Sequence, residues 1–489
     1  MDPESNVATL VARARSRNPD AEALVAPGPV RRALTWTELD ERVDAVAAGL
    51  AATGLVAGQR VALLARNSVE LVVAYLAVLR AGMIAVPLNP VLTSEEVDDL
   101  VRDSGARLLL AGPGTPHPGS VPTLPLTPDG LDALAASGSA PVDSPPDPET
   151  LAVLLYTAGT SGPPRAVMLT HRALLAHLQH VHALGVIGER DTVLGVLPLF
   201  HVFGLNAVLG GWLVAGGRFV VADATDQPAT TVLDVLAAES VQQLPLSPAF
   251  LRAILADPRS GQSPPALSGV VVVSGAAPLS PELAADFTAR TGATLGHGYG
   301  LTEAAPGVSL TIELAEQPPA TGHVGRPLPG VEVRIGDGAD PGEPGEIGVR
   351  GANLFSGYWP DGTGGPGADG WFATGDVGYL DDDGELYLLD RTRELVGVSG
   401  FAVYPAEVEQ VIAELPGVDA VAVVGQPGSA DAHLVAFVVG DVEEAQVLVH
   451  CRARLARFKR PGRVEVVDDL PRGATGKVRK GVLRESLLT

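Results

Sequence analysis

Small and hydroxyl-bearing residues cluster in YTAGTSGPPRAVMLTH, residues 156–171, between an apolar strand pattern and a helical pattern. Small residues let backbone N–H groups approach phosphate oxygens, and hydroxyls add further donors. Arg165 supplies positive charge. The GxxxxGK[ST] order of the common P-loop is absent, so the pattern favours another kind of phosphate loop, with a plain connecting loop as the alternative. The small and hydroxyl residues are Thr157, Gly159, Thr160, Ser161 and Gly162.

Further segments along the chain combine glycines with residues that could contact a nucleotide or an acid. In chain order they are LPLFHVFG (197–204), VSGAAPLS (273–280), GHGYGLTEAAP (296–306), GEIGVRG (345–351), WFATGDVGYLDDDGELYLLDR (371–391) and LPRGATGK (470–477). Each could be accidental alone, but the order and spacing of the set are specific.

This succession resembles the adenylate-forming superfamily of acyl-CoA synthetases, luciferases and peptide-synthetase adenylation domains, over roughly residues 30–489. The resemblance implies an ATP-dependent acid–thiol ligase. A carboxylic acid and MgATP would give an acyl-adenylate, and coenzyme A would then displace AMP. ATP, Mg²⁺ and coenzyme A are therefore the expected cofactors and co-substrates.

By resemblance, Glu303 in YGLTE is the magnesium ligand, and Thr302 contacts the α-phosphate. A carboxylate oxygen is the hard donor that Mg²⁺ prefers. Tyr299 would stack on one face of adenine. The other face would rest on a shelf formed by Gly275, Ala276 and Ala277.

Asp376 in the TGD triplet resembles the residue that accepts hydrogen bonds from the ribose hydroxyls, and Arg391 should reach ribose or phosphate. Lys477 resembles the catalytic lysine that bridges the acid carboxylate and the α-phosphate, where an ammonium offsets growing charge. Without its PRGATGK setting, Lys477 would be read as a solvated lysine in a basic tail.

His201 has apolar neighbours that would suit a satisfied core histidine. In the family, the matching histidine borders the acyl pocket, so His201 is also a substrate-binding candidate, as is Gly298. Apolar segments such as FGLNAVLGGWLV favour a linear or bulky apolar acid.

The resemblance also implies that the C-terminal domain swings between an adenylating and a thioester-forming pose, with Arg393 as the hinge residue. Gly400, in VGVSGFAVYP, would then line the pantetheine tunnel, where a missing side chain admits a narrow thiol arm. The VSGFxVYP form looks like coenzyme A ligases, although an acyl-carrier protein remains a possible partner. The oligomeric state is left open.

Two positions of the phosphate loop depart from the family pattern: Ala158 replaces the usual serine and Arg165 the usual lysine. The glycine-rich PDGTGGPGADG, residues 360–370, replaces a short helical segment with what reads as a flexible loop. Two alternatives therefore stay open. The chain could perform one half-reaction only, on a carrier protein or a supplied acyl-adenylate, or it could be a nucleotide- or acyl-binding pseudoenzyme.

The first third of the chain alternates helix and strand patterns. Thr37 with Asp40, and Thr93 with Glu96, read as capping boxes that begin helices. The runs RVALLA and MIAVPLNP flank a helical stretch and read as a β-α-β unit. Residues 113–150 read as a surface connection without regular structure. The fold class predicted is α/β, with helix-covered, mainly parallel sheets and a small α+β C-terminal domain.

Two domains account for the length of 489 residues. We expect an N-terminal adenylate-forming domain over residues 1–390, a hinge at 391–394 and a swinging domain at 395–489. The boundary is placed where the pattern becomes a compact alternation of helices and strands.

The composition narrows the classes of partner. A hydrophobic content of 46% excludes a disordered chain, and a net charge of −23 argues against nucleic acid or anionic membranes as partners. The single cysteine, Cys451, reads as reduced and structural. The N-terminal residues suggest neither a signal peptide nor an anchor, and a cytoplasmic location is expected.

Overall fold

The structure is a computed structural model. It describes residues 5–116, 119–138, 140, 142, 147–157, 164–261, 267–311, 321–336, 340–391, 396–398, 401–403, 405–426, 433–455, 457–473 and 478–487. The packing of the backbone divides the chain into two compact units. Unit 1 contains residues 1–157, 164–332 and 350–372, and unit 2 contains residues 333–349 and 373–489.

Unit 1 is a layered α/β structure. Its strands are β1 (Glu22–Ala26), β2 (Arg32–Thr35), β3 (Arg60–Leu64), β4 (Ile84–Leu88), β5 (Leu108–Ala111), β6 (Thr123–Pro125), β7 (Leu151–Thr157), β8 (Arg165–Thr170), β9 (Thr192–Gly195), β10 (Arg218–Val221), β11 (Val271–Ser274), β12 (Thr294–Gly300), β13 (Gly307–Thr311) and β14 (His323–Pro327). Its α-helices are α1 (Thr9–Arg17), α2 (Trp36–Ala52), α3 (Val69–Arg80), α4 (Ser94–Ser104), α5 (Pro128–Ser137), α6 (His171–Ala183), α7 (Gly211–Ala215), α8 (Pro228–Ala238), α9 (Pro248–Ala256) and α10 (Pro281–Thr291).

A six-stranded sheet carries the predicted phosphate loop. Its order is β6-β5-β3-β4-β7-β8, and all neighbours are parallel except β7 and β8, which are antiparallel. The predicted β-α-β unit is confirmed as β3, α3 and β4. Both central strands are buried, as expected for a parallel sheet covered by helices. The predicted mainly parallel α/β fold is therefore confirmed.

The two predicted capping boxes have different outcomes. The box at Thr93 and Glu96 is confirmed at the start of α4. The box at Thr37 and Asp40 is wrong, because α2 is capped two residues earlier, by Thr35 with Glu38. Asp40 instead lies buried in ion pairs with Arg80 and Arg15. Both spacings are typical of a capping box, and tertiary packing selects between them.

A second sheet has the order β2-β1-β10-β9. The apolar stretch before β10 forms a π-helix, Phe203–Gly210, which α7 continues. Trp212 of this helix stacks on Trp36 and on Phe219, with ring centroids 5.0 and 5.1 Å apart. Such aromatic pairs each contribute about 0.5–1.5 kcal/mol beyond burial, so they anchor α2 and α7 beside this sheet.

The segment 113–150 contains more structure than its composition predicted. It includes β6 and α5, which begins after the N-cap Thr127 with Pro128 in its first turn. Only Leu131 and Leu134 of α5 are buried, too few to reveal a period in the sequence. The prediction of an irregular connection is wrong for these residues.

Strands β11, β12, β13 and β14 lie in that order, with β11 and β12 parallel and the following pairs antiparallel. Helix α10 connects β11 to β12. The VSGAAPLS and GHGYGLTEAAP segments therefore follow from two adjacent parallel strands and meet at the same edge of the sheet.

Unit 2 is a smaller α+β unit. It contains most of β15 (Val331–Ile335), β16 (Gly345–Gly351) and β17 (Phe372–Leu380), each of which has one or two residues in unit 1. Its other strands are β18 (Leu386–Arg391), β19 (Val396–Val398), β20 (Phe401–Val403), β21 (Val418–Gly425), β22 (Leu434–Gly440) and β23 (Arg463–Val466), and its helices are α11 (Pro405–Ala413), α12 (Glu444–Arg454) and α13 (Lys480–Ser486). The sheet β21-β22-β23 packs against α11, α12 and α13. Residues 392–394 of the expected hinge lie outside the described residues, and the division of the chain at 391–394 stays a prediction. Cys451 is buried and unpaired in α12, as predicted.

Within the described parts of the chain, no helix has the length and apolar character needed to cross a membrane.

Candidate active site

The predicted phosphate loop leaves β7 and enters β8. Thr157 lies opposite Arg165 in the antiparallel pair, and its hydroxyl donates a 3.4 Å hydrogen bond to the Arg165 carbonyl. The two ends of the loop are therefore side by side. The remaining predicted loop residues lie outside the described residues: Ala158, Gly159, Thr160, Ser161 and Gly162.

Arg165 is exposed at the start of β8, and its guanidinium lies over an aromatic ring. Its central carbon is 3.5 Å from the ring centroid of Tyr358, a cation–π contact. Its charge also acts on Asp361. The pKa of that carboxyl is lowered first by hydrogen bonds from Thr363, with Arg165 a lesser cause.

Glu303 lies in a 3₁₀ turn, Thr302–Ala304, directly after β12. The Tyr358 hydroxyl donates a 2.6 Å hydrogen bond to Oε1 of Glu303, and the Phe355 N–H donates to the Glu303 carbonyl at 2.9 Å. Thr302 and Glu303 are both half-buried. The carboxylate keeps acceptor capacity beyond the Tyr358 contact, since it has two oxygens with about four lone-pair sites. A hard divalent cation that shares its coordination with phosphate oxygens fits this donor.

Buried asparagines hold the turn that carries Glu303. Ala305 adopts a left-handed backbone conformation, φ +59°, which costs a non-glycine residue about 1–3 kcal/mol. Its carbonyl accepts a 2.6 Å hydrogen bond from Asn206, which is 1% exposed. The amide of the fully buried Asn353 donates to the carbonyls of Ala304 and Gly307 at 2.7 and 2.9 Å. These bonds compensate for the strain and fix the turn.

A buried histidine closes the same turn. Nδ1 of His177, in α6, accepts a 3.3 Å hydrogen bond from the Gly307 N–H. Burial lowers the pKa of His177 to about 3, with a smaller contribution from His180. The ring is therefore neutral near pH 7, as an acceptor of an N–H must be.

The predicted adenine shelf lies between β11 and α10. Gly275 is buried, and a Cβ on it would come within 3.1 Å of the Phe203 ring, so a larger residue would crowd that ring. Ala276 has φ +68°, a second left-handed alanine. The Ala277 carbonyl lies 3.4 Å from Nε2 of His297, which links the shelf to β12.

His297 and Tyr299 lie two residues apart on β12, so their side chains are on one face of the strand. Tyr299 is 9% exposed. Gly298 is half-buried, and a Cβ there would lie 3.3 Å from a methyl of Leu310. Tyr299, predicted to stack on adenine, and Gly298, predicted to bind the acid, are thus consecutive residues of β12. This strand lies beside β11, which leads into the shelf, and it is followed by the turn that carries Glu303.

His201 is half-buried, just before the π-helix that begins at Phe203. Its Nδ1 accepts a 3.2 Å hydrogen bond from the Phe203 N–H, which places the proton of a neutral ring on Nε2. The ring is thus oriented by the backbone and presents a donor at Nε2. Both interpretations of His201, core histidine and pocket residue, remain compatible with this contact.

In unit 2, the TGD triplet lies within β17. Gly375 has φ +75°, and its N–H donates to Glu346 at 3.1 Å. The Asp376 N–H donates to the Thr374 hydroxyl, and Asp376 is 8% exposed. Its backbone is paired with that of Arg391 on β18. Strand pairing thus places the two predicted ribose-binding residues opposite one another.

The remaining predicted residues of this region have simple outcomes. Asp381 accepts hydrogen bonds from the Asp383 and Glu385 N–H groups, so the acidic run at 381–383 forms a turn. Three predicted residues lie outside the described residues, and their roles stay predictions: Arg393, Gly400 and Lys477.

Sequence reasoning missed the residues that support Glu303. Asn206, Asn353 and His177 are distant from Glu303 along the chain and belong to no motif. Tyr358 lies between two recognised segments, beside Trp359, and carried no separate signal.

Comparison with known protein families assigns the chain to one of them. The AMP-binding enzyme family matches residues 11–359, and its C-terminal domain matches residues 407–477. The chain belongs to the AMP-binding enzyme family. The resemblance to the adenylate-forming superfamily is therefore confirmed, and both Glu303 and Tyr358 lie within the larger matched region.

Individual relatives of this AMP-binding enzyme agree with that assignment. Feruloyl-CoA synthase of Amycolatopsis sp. is 36% identical over 468 residues, covering 92% of this chain and 94% of the relative. ATP-bound MatB from Rhodopseudomonas palustris has a TM-score of 0.87 at 32% identity, covering 98% of this chain and 99% of that one. O-succinylbenzoate coenzyme A synthetase (MenE) from Bacillus subtilis, in complex with ATP and magnesium ion, has a TM-score of 0.85 at 27% identity, with 98% and 99% coverage.

Proposed function

We propose that this AMP-binding enzyme is an AMP-forming acyl-CoA ligase acting on an apolar carboxylic acid. One observation carries the proposal: Glu303 is fixed by Tyr358 and by a hydrogen-bonded turn, inside a region that matches the family from residue 11 to 359. The relatives named as coenzyme A synthases and synthetases support the same reaction class.

In the first step, an oxygen of the acid carboxylate attacks the α-phosphorus of ATP. The bond to the bridging oxygen breaks, and pyrophosphate leaves. Bound magnesium would offset charge on the phosphates, and Glu303 is the residue proposed to hold it. Lys477 would hold the carboxylate and the α-phosphate together, and Asp376 would accept hydrogen bonds from the ribose hydroxyls.

In the second step, the thiol of coenzyme A, as its thiolate, attacks the acyl carbon and AMP leaves with the bonding electrons. The proton of the thiol is released to solvent. Gly400 is proposed to line the path of the pantetheine arm. Rotation about Arg393 is proposed to move the C-terminal domain between the adenylating and the thioester-forming poses. His201 and Gly298 are proposed to border the acid.

A second candidate function is supported by the altered phosphate loop. Ala158 and Arg165 replace residues that the family uses on ATP, so the chain could convert only a supplied acyl-adenylate to a thioester. Acid-dependent exchange of labelled pyrophosphate into ATP separates the candidates. A ligase performs this exchange without coenzyme A, whereas the half-reaction enzyme gives none and still forms thioester from supplied acyl-AMP.

A further inference from the structure

Tyr358 contacts both the charged residue at the end of the phosphate loop and the proposed magnesium ligand. One face of its ring carries the Arg165 guanidinium at 3.5 Å, and its hydroxyl donates to Glu303 at 2.6 Å. A single side chain therefore joins a residue of β8 to one that follows β12.

The ring is fixed by its surroundings. Phe355 meets it edge-on, with centroids 5.0 Å apart. The Tyr358 N–H donates to the Thr363 carbonyl at 3.0 Å, and the Tyr358 carbonyl accepts from Gly362 at 2.8 Å. A Cβ on Gly364, at φ +70°, would lie 3.1 Å from the ring and 3.3 Å from the Arg165 guanidinium.

The glycine-rich segment 360–370 begins with a turn that is closed by backbone pairing of Tyr358 with Thr363. Gly357 and Gly362 approach so closely that a Cβ on Gly357 would lie 2.0 Å from the Gly362 carbonyl oxygen. Only glycine permits this approach, which brings the turn against Tyr358 and Arg165. The glycines therefore serve the packing of this aromatic contact.

The charge of Arg165 affects the hydrogen bond that the Tyr358 hydroxyl donates to Glu303. A cation over an aromatic face favours electron density on the ring, and this makes the phenol hydroxyl a stronger donor. A carboxylate that accepts a hydrogen bond at Oε1 loses rotational freedom and presents Oε2 in a defined position. Arginine suits the first role better than lysine, because its planar guanidinium stacks on a ring.

We propose that Tyr358 is a positioning residue for Glu303, and that Arg165 acts on the magnesium site through the Tyr358 ring. This inference rests on the proposed function, because it takes Glu303 as the magnesium ligand. It also gives a reason for arginine at a position where the family usually has lysine. The residue proposed to contact the phosphates, Arg165, and the residue proposed to bind the metal, Glu303, would then be connected through Tyr358.

The test measures metal binding rather than turnover. Mn²⁺ is titrated into the protein with excess non-hydrolysable ATP analogue, and protein-bound Mn²⁺ is quantified by electron paramagnetic resonance. Tyr358→Phe keeps the ring and removes the hydroxyl, and it should weaken Mn²⁺ binding by roughly ten- to a hundredfold, as expected for a lost bond to a charged group. Binding of the analogue in EDTA should be unchanged. Tyr387→Phe, in β18, is the matched control and should change neither quantity.

A double-mutant cycle tests the route through the ring. Arg165→Ala should weaken Mn²⁺ binding in the parent and have a much smaller effect in the Tyr358→Phe background. Arg165→Lys should restore only part of the loss. Equal Arg165→Ala effects in both backgrounds would show that Arg165 acts independently of Tyr358.

Unchanged or tighter Mn²⁺ binding in Tyr358→Phe would overturn the positioning role, since Tyr358 would then be neutral or would compete with the metal. Failure of the proposed function looks different. In that case the parent still binds Mn²⁺ with the analogue, yet it forms no acyl-AMP from any acid. A parent that binds no Mn²⁺ under these conditions would contradict both.

Discussion

The side-chain amide of Asn353 donates a 2.7 Å hydrogen bond to the carbonyl of Ala304, the residue that follows Glu303. Asn353 is fully buried and comes from a segment almost fifty residues further along the chain. Together with Asn206, it secures a turn whose left-handed Ala305 would otherwise be costly. The position of the proposed metal ligand therefore depends on buried side-chain amides that contact the backbone of its turn.

Asn353→Ala should destabilise the protein and weaken its response to magnesium. It leaves the carbonyl of the buried Ala304 without this donor, at a cost of about 1–3 kcal/mol, removes a second bond to the half-buried Gly307, and loosens the turn. Urea unfolding and the Mg²⁺ concentration for half-maximal activity measure the two effects. Asn6→Ala is the control, because it removes a buried hydrogen bond from the Asn6 side-chain amide to the Leu79 carbonyl. It should affect stability alone. An unaltered Mg²⁺ requirement in Asn353→Ala would separate the turn from the metal site.

Asp376→Ala should weaken ATP binding by several kcal/mol, because each hydrogen bond from a ribose hydroxyl to a carboxylate contributes about 1.5–3 kcal/mol. Isothermal titration calorimetry with ATP measures the loss. Asp382→Ala, at an exposed position of the neighbouring acidic turn, removes the same charge and should leave the affinity unchanged. Equal affinities for the parent and the Asp376 variant would remove Asp376 from the nucleotide site.

The stability of the protein should fall as the pH drops below the ordinary histidine value of 6.5. Burial lowers the pKa of His177 to about 3 and that of His171 to about 4. Both are neutral in the folded state, whereas the unfolded chain takes up protons below pH 6.5. The stability present above that pH is therefore lost on acidification, by up to about 1.4 kcal/mol per pH unit for each ring.

His177→Asn tests this assignment, because asparagine offers an acceptor for the Gly307 N–H and cannot be protonated in this range. Urea unfolding between pH 4 and 7 should show a shallower pH dependence than the parent, by about one proton. His182→Asn, at an exposed position of the same helix, should leave the slope unchanged. A parental slope in His177→Asn would mean that the buried ring is not the titrating group.

The regular parts of the fold could be predicted because local patterns and packing agree there. Strands β3 and β4 are almost entirely apolar. The capping box at Thr93 and Glu96 forms where its spacing in the sequence predicts it. The predicted capping box at Thr37 and Asp40 does not form, because Asp40 makes ion pairs with Arg80 and Arg15. No local sequence pattern reveals these ion pairs. Helix α5 was missed for a different reason, since its two leucines are its only buried residues and reveal no period.

The candidate site divides in the same way. Glu303 and Asp376 lie in recognisable motifs, Glu303 in a 3₁₀ turn and Asp376 in β17 directly after the left-handed Gly375. Asn206, Asn353 and Tyr358 act through tertiary contacts with the Glu303 turn. Nothing in a single sequence marks such contacts, because the spacing between partners carries no periodic signal.

Lys477→Ala should abolish acyl-AMP formation and largely spare thioester formation from supplied acyl-AMP. The reason is that a domain swing would carry Lys477 away from the second reaction. Arg393→Pro should show the opposite pattern, since proline restricts the backbone rotation that a hinge needs. Single-turnover assays of each half-reaction measure both variants, and equal losses in the two steps would contradict the division of labour.

Product analysis across a panel of linear and aromatic acids, with MgATP, in the presence and absence of coenzyme A, tests the two-step ligase reaction directly. Labelled pyrophosphate exchange is followed in the same reactions. We expect that at least one apolar acid supports exchange without coenzyme A and yields acyl-CoA and AMP in equal amounts when coenzyme A is added. A panel that gives no exchange, while supplied acyl-AMP is still converted to acyl-CoA, would contradict the two-step ligase.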